Sequence, residues 1–149
     1  MKHITFYLIV VLALSGCDKQ EPEDETLVDD KYEENDSQKD AAFLEEGFTY
    51  TSLTISDDDD DWYLILLSAD SIKIICKFIH EEGDINLEIV DERGDSITSA
   101  ISETNNEALN FIDDEVYNLK KNYIHVYTSS PSLQKYSLYW DDTWSVQMQ

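Results

Sequence analysis

The stretch "WYLILLSADSIKIICKFI", residues 62–79, decides the fold of this 149-residue chain. Its first six residues are apolar without interruption, as in a central strand that is buried on both faces. From residue 71 the pattern changes to alternation, which is typical of a strand with one buried face. The inward side would carry Ile72, Ile74, Cys76 and Phe78, and the outward side Lys73 and Lys77. The stretch therefore predicts two consecutive β-strands, one central and one with a solvent-facing side.

Further short strands are predicted on both sides of this stretch. Alternation and β-forming residues mark "FTYTSLTI" at 48–55, "INLEIV" at 85–90, "NYIHVYT" at 122–128 and "KYSLYW" at 135–140, with weaker strands in "SITSAIS" and "EALNFID". Turn signals such as "EEGD" and "DERGD" separate them. Short strands spaced about ten residues apart predict an all-β fold, a single antiparallel β-sandwich. Only residues 37–45 suggest a helical turn.

The first 16 residues predict an export signal. Met1-Lys2-His3 is short and basic, and the apolar run from Ile4 to Leu14 is shorter than the roughly 20 residues of a membrane-spanning helix. The closing "LSGC" resembles a bacterial lipobox, a resemblance that makes Cys17 the lipidated mature N-terminus. An ordinary signal peptide or a short anchor helix with a chance cysteine is the alternative. The lipobox interpretation predicts a lipoprotein of the bacterial cell envelope, held on a membrane by its N-terminal lipid and facing the periplasm or the exterior. Which membrane stays open.

The charge of the chain restricts its partners. Thirty-three acidic against ten basic residues give a formal net charge of −23. Binding to nucleic acid or to an anionic membrane through surface charge is excluded, because both need basic patches. Cations and basic partners are favoured. With Cys17 lipidated, Cys76 is left without a disulfide partner, and its apolar surroundings predict a small buried hydrophobe.

Four segments follow from these patterns. Residues 1–16 are the lipoprotein signal peptide, and residues 17–32 are an acidic tether that has too little apolar surface to fold. Residues 33–141 form the β-sandwich domain, and residues 142–149 form a C-terminal tail.

Six motifs in order resemble the bacterial pre-peptidase C-terminal domain. They are "EENDSQKDAAFL", "DDDDDWYLILL", "GDINLEIVDERGD", "NNEALNF", "NYIHVYT" and "YSLYW". The resemblance implies a small jelly-roll-like β-sandwich without catalytic activity, of the kind appended to secreted proteases and surface proteins. Some members bind calcium, and some bind matrix polymers. This chain departs from the pattern at Glu34, where proline is usual, at Lys121-Asn122, which replaces a glycine turn, and at Asn86, which replaces an aspartate.

The resemblance also implies a set of calcium ligands. Carried over to this chain they are Glu33, Asn35, Ser52, Asp58 and Asp61. One further family position falls on Lys31, which cannot ligate a cation. The other aspartates of the run, Asp57, Asp59 and Asp60, are expected to be solvated charge. The alternative is that the whole run is a solvated loop that guards a sheet edge.

Alternating aromatic residues on the last two strands suggest a binding surface. Tyr123, His125 and Tyr127 share one side of their strand, and Tyr136 begins a similar alternation on the next. If the aliphatic side is the core, these four residues form an outward surface for a protein or a polysaccharide. The alternative is that the rings belong to the core.

Two classes of function are compatible with these features. One is a displayed, non-enzymatic binding module, and the other is an accessory module that assists folding, trafficking or inhibition of another exported protein. An enzyme is disfavoured, because the sequence has neither a complete H-E-x-x-H motif nor a G-x-S-x-G elbow.

Overall fold

The computed structural model describes residues 30–69, 71–112, 119–131 and 133–143. Within these ranges the chain forms nine strands and one short 3-10 turn, which confirms the all-β prediction. The strands are β1 (Ala42–Phe43), β2 (Thr49–Ile55), β3 (Asp61–Leu67), β4 (Ser71–Lys77), β5 (Ile85–Asp91), β6 (Ser96–Ala100), β7 (Asn106–Ile112), β8 (Lys120–Thr128) and β9 (Gln134–Thr143). The predicted signal peptide, Cys17, most of the tether and the end of the tail lie outside the described residues.

The strands form a two-sheet sandwich, as predicted. One sheet has the order β1-β3-β8-β5-β6 and the other β2-β9-β4-β7. All pairs are antiparallel except β1 with β3, where Ala42 lies opposite Tyr63. The chain crosses repeatedly from one sheet to the other, so residues distant in sequence meet inside the sandwich. Among the described residues, no helix has the length and apolarity that a membrane span requires.

The core lies between the sheets and contains the side chains that alternation predicted. On β4, Ile72, Ile74 and Cys76 are buried while Lys73 and Lys77 are exposed. Each fully buried aliphatic side chain contributes about 1.5–3 kcal/mol to folding. Burial raises the pKa of the Cys76 thiol, with the nearby Glu107 charge adding to the effect. The structural role predicted for Cys76 is therefore confirmed.

The predicted helical turn over residues 37–45 is confined to a single turn at residues 37–40, and the rest of the range is not helical. A turn closes where the Asp40 amide donates to the Ser37 carbonyl at 3.0 Å, and β1 follows it. The Leu44 amide then donates to the Leu64 carbonyl at 3.0 Å. Pairing with β3 thus satisfies backbone groups that a helix would have satisfied internally.

Two residues at the end of the predicted tether contact the sandwich. Asp30 and Tyr32, assigned to the tether, pack on the sandwich. The Thr54 amide donates to Asp30 Oδ2 at 3.0 Å, and the Tyr32 ring meets the Tyr63 ring edge to face at 6.0 Å. At the other end, β9 continues through the predicted boundary to Thr143.

Candidate metal centre and the aromatic row

The aspartate run enters β3 through a turn. The Asp59 amide donates to the Ser56 carbonyl at 3.2 Å, which leaves Asp57 and Asp58 exposed at the tip. Asp61 begins β3 and is fully buried. Because side chains alternate along an extended chain, Asp59 and Asp61 point to one side and Asp60 to the other.

Three carboxylates meet on the inner side of this entry. Oxygens of Glu33, Asp59 and Asp61 lie within 4.8 Å of one another, and we call this group the acidic cluster. The predicted residues Glu33 and Asp61 are thus brought together. Asp58 is not a member of this group: its side chain is exposed and hydrogen-bonds with Asp57, which raises the pKa of Asp58. Asp59, expected to be solvated, takes its place, and counting back two residues from Asp61 along the strand would have identified it.

Two buried oxygens beside the cluster have no hydrogen-bond partner within the described part of the chain. Asp61 Oδ2 accepts a hydrogen bond from the Tyr136 hydroxyl, but Asp61 Oδ1 is left unpartnered. Asn35 is fully buried and pairs with Trp62, its carbonyl accepting from the Trp62 amide at 2.9 Å and its Nδ2 donating to the Trp62 carbonyl at 3.3 Å. Asn35 Oδ1 is the second unpartnered oxygen. A buried acceptor without a donor costs about 1–3 kcal/mol, so both oxygens are suited to a cation.

The electrostatics of the cluster indicate the same ligand class. Burial raises the pKa of Asp61 to about 8, and the negative charges of Glu33 and Asp59 add to the effect while the Tyr136 hydrogen bond opposes it. Burial, followed by the charge of Asp59, raises the pKa of Glu33 to about 7. At neutral pH the ion-free cluster therefore retains protons that a divalent cation would displace.

The donor set fits calcium in kind. Calcium takes about six to eight oxygen ligands, and carboxylates with amide oxygens are its usual protein ligands. Glu33, Asp59 and Asp61 supply carboxylates. Asn35, two residues after Glu33 in the chain, has a buried amide oxygen that lacks a hydrogen-bond partner.

Ser52 lies on a different surface, so its prediction as a ligand is not supported. A register shift between Tyr50 and Leu53 gives β2 a bulge, and Ser52 adopts a φ of 63° there. Its exposed side chain lines a depression beside Lys77 on the outer face of the four-stranded sheet. The bulge interrupts the alternation of inward and outward side chains along β2, so simple alternation does not predict the position of Ser52.

A row of stacked rings lies on the outer face of the five-stranded sheet. The centroids of the Trp62 and His125 rings are 4.1 Å apart with planes inclined by 14°, and those of His125 and Tyr127 are 5.0 Å apart at 29°. We call Trp62, His125 and Tyr127 the aromatic row. Trp62 and Tyr127 cover the two faces of the His125 ring. The row therefore presents ring edges and the outer faces of Trp62 and Tyr127, and it is not a flat platform.

The four predicted surface residues divide between surface and core. Tyr123, His125 and Tyr127 are half-buried and point outward, while Ile124 and Val126 between them are buried. Tyr136 is the exception and the prediction is wrong for it, because it is only 3% exposed. Its hydroxyl lies 2.7 Å from that of Tyr63 and donates to Asp61. Tyr136 supports the acidic cluster from inside the core.

Asp60 connects the aspartate run to the aromatic row. Its Oδ2 lies 3.2 Å from His125 Nε2, and Glu88 Oε2 lies 3.4 Å from His125 Nδ1. Consecutive residues at the start of β3 thus face two different features. Asp59 and Asp61 face the acidic cluster, whereas Asp60 and Trp62 face the aromatic row. The missed residue here is Trp62, which the register places directly opposite His125.

Comparison with known proteins supports the fold. No family model matches the chain, and no curated protein matches it in sequence. Among solved structures, the chain is similar to the pre-peptidase C-terminal domain of a collagenase from Bacillus anthracis. The two share 18% sequence identity with a TM-score of 0.54, over 68% of this chain and 94% of that one. The chain therefore has a pre-peptidase C-terminal-like β-sandwich fold.

Proposed function

We propose that this chain is a non-catalytic binding module that is anchored by a lipid on Cys17 in a bacterial cell envelope. It binds an extracytoplasmic protein or polysaccharide through the aromatic row and is stabilised by calcium at the acidic cluster. The observation that carries the proposal is the division of the β3 entry between these two features, since Asp59 and Asp61 serve the cluster while Asp60 touches His125.

Calcium supports the binding surface through this entry. Without an ion, repulsion among Glu33, Asp59 and Asp61 is relieved only by protonation or by movement of the loop. A bound cation would hold Asp59 and Asp61 together. It would thereby fix the position of Asp60, which lies between them in the chain, and of Trp62, which follows Asp61. The position of the Trp62 ring against His125 then depends on the ion.

The aromatic row has the composition of a recognition surface. Aromatic rings supply apolar contact area at low entropic cost, and they bind sugar rings as well as peptide side chains. Asp60 and Glu88 flank the row and add acceptors for hydroxyl, ammonium or guanidinium groups. A polymer with polar groups at its edges and apolar faces fits this arrangement.

The N-terminal sequence supports the proposed anchoring. The basic start, the short apolar run and "LSGC" support processing and lipidation at Cys17. Because one acyl chain binds a membrane only weakly, stable display needs a multiply acylated cysteine.

Co-sedimentation with insoluble polymers tests the binding role. The chain from residue 18 onward would be incubated with peptidoglycan sacculi, chitin or collagen fibrils, in calcium and in a chelator. We expect retention by at least one polymer in calcium, with a loss of roughly tenfold in affinity for Tyr127→Ala, as for other interface aromatics. Phe48→Ala is the matched control, because Phe48 is 58% exposed and is not part of the row.

Two outcomes would contradict this function. One is that no polymer of the panel retains the wild-type chain. The other is that Tyr127→Ala and Phe48→Ala bind as well as the wild type. Trp62→Leu provides a second variant of the row, and circular dichroism checks that each variant is folded.

A further inference from the structure

The aromatic row lies in acidic surroundings. Asp60 Oδ2 is 3.2 Å from His125 Nε2, and half of the Asp60 side chain is exposed. Glu88 Oε2 lies 3.4 Å from the other nitrogen of the same ring. Burial raises the pKa of Tyr127, and the charges of Glu88, Asp60 and Asp84 add to the effect. Three carboxylates therefore lie around the Tyr127 end of the row.

The exposed half of the aspartate run adds charge at the same end of the sheet. The register pairs Asp61 with Val126, so the residues that lead into β3 lie beside those that follow Val126 on β8. Asp57 and Asp58 are exposed on this approach, and neither belongs to the acidic cluster. Two like charges held together at an exposed turn are stabilised by a cation that comes from outside the chain.

Few basic groups of the chain oppose this charge. Within the described part of the chain, the outward positions of β3, β5 and β8 include one lysine, Lys121, and no arginine. Lys121 lies at the other end of β8, roughly 20 Å from Tyr127 at about 3.3 Å per residue. His80 and His125 are nearby groups that can become cationic, and His80 Nδ1 lies 3.2 Å from Asp84 Oδ1. The carboxylates outnumber these two histidines, so the Tyr127 end stays negative even if both are protonated.

The geometry of the rings narrows the class of cation. The planes of Trp62, His125 and Tyr127 are nearly parallel, with inclinations of 14° and 29° along the row. A guanidinium group is planar and weakly hydrated, so it stacks on an aromatic face while its fork of donors pairs with a carboxylate. An ammonium group is a strongly hydrated point charge without such a fork. Ring faces with Asp60 beside them therefore favour arginine over lysine.

We propose that the aromatic row binds an arginine-rich segment of another protein. One guanidinium stacks on the outer face of Tyr127 and donates to Asp60, and further basic residues of the segment lie along Asp57 and Asp58. This inference rests on the proposed function, because it names the partner of the same surface. A second copy of the chain does not suit the row, since ten basic against 33 acidic residues make two copies repel each other.

Titration with peptides of equal charge tests the inference. Nona-arginine and nona-lysine are added to the chain from residue 18 onward, in calcium and at physiological salt, and binding is measured by calorimetry. We expect nona-arginine to bind about threefold more tightly, because only guanidinium both stacks and forks. Asp60→Asn/Tyr127→Leu should lower the affinity for nona-arginine roughly tenfold and remove the difference between the peptides. Glu92→Gln is the matched control, since it removes one exposed charge at the β5–β6 turn, and it should change the affinity less than about twofold.

Several results would overturn the inference. These are equal affinity of the wild type for the two peptides, and a loss in Glu92→Gln as large as in the double variant. Tighter binding of chitosan oligomers than of nona-arginine would assign the row to an amino-polysaccharide instead. If circular dichroism shows that the double variant is unfolded, Asp60→Asn alone replaces it, with an expected loss of about threefold.

The peptide titration and the polymer panel fail separately. Retention by a polymer that depends on Tyr127, without a preference for nona-arginine, would refute the inference and leave the proposed function intact. A preference for nona-arginine that Asp60→Asn/Tyr127→Leu removes, without retention by any polymer, would support the inference while the polymer test fails.

Discussion

Two halves of one aspartate run differ in environment although their residues are identical. Asp57 and Asp58 occupy the exposed tip of a turn, whereas Asp59 and Asp61 face Glu33 and Asp61 is fully buried. The difference has two causes, the alternation of an extended chain and the return of an upstream segment to the same place. Charge density alone therefore does not mark a group that could hold a metal ion, whereas the convergence of Glu33, Asp59 and Asp61 does.

The largest expected effect is on the pH dependence of stability without calcium. Burial raises the pKa of Asp61 to about 8, from about 3.9 in an unfolded chain. The folded state then binds more protons between these values, so the contribution of Asp61 to stability is fully present below about pH 4 and is lost as pH rises through about 8. We expect a loss on the order of a few kcal/mol, measured by urea unfolding in a chelator at about pH 5 and about pH 9. Equal stability at both pH values would contradict the raised pKa.

A smaller effect is expected when the buried carboxylate is replaced by an amide. In Asp61→Asn the side-chain oxygen still accepts from Tyr136, but the ionisable group is removed. In a chelator at about pH 9 the variant should be more stable than the wild type by about 1–3 kcal/mol, and at about pH 5 the two should be similar. Chemical unfolding at the two pH values checks this. A variant that is as pH-dependent as the wild type would assign the effect to other groups.

The smallest effect is expected at the exposed half of the run. Asp57→Asn/Asp58→Asn removes like charges from a solvated turn, so the free energy of unfolding should change by less than about 0.5 kcal/mol. Its response to calcium should equal that of the wild type. Thermal melting with and without calcium measures both quantities. Loss of the calcium response in this variant would restore Asp58 as a ligand and remove the contrast between the two halves.

The sandwich was predictable because its strands depend on local patterns. Lys73 and Lys77 alternate with buried Ile74 and Cys76, and this pattern alone orients β4. The site was only partly predictable, because it also depends on tertiary features. The outward-facing Lys135 and Ser137 already indicated that Tyr136 points inward, but the hydrogen bond that links it to Asp61 is made across the core.

Other parts of the site had no local signal. The bulge in β2 places Ser52 beside Lys77 on the outer face of the four-stranded sheet, and no glycine marks the position where its backbone becomes left-handed. The packing of Asp30 and Tyr32 on the domain likewise follows from their contacts with Thr54 and Tyr63, which lie on other strands. Asp30 and Tyr32 belong to a segment with little apolar surface of its own, and they pack on surface that the strands supply.

The response of the melting temperature to calcium tests the central claim most directly. The chain from residue 18 onward would be melted at about pH 7.5 over a calcium titration, with magnesium as the control cation and Asp61→Asn as the control variant. The account predicts a melting temperature of the wild type that rises with the logarithm of calcium concentration above the Kd, worth about 1.4 kcal/mol when calcium exceeds its Kd tenfold. Asp61→Asn should show a much smaller rise. A wild-type melting temperature that calcium leaves unchanged would contradict the assignment of the acidic cluster as a calcium site.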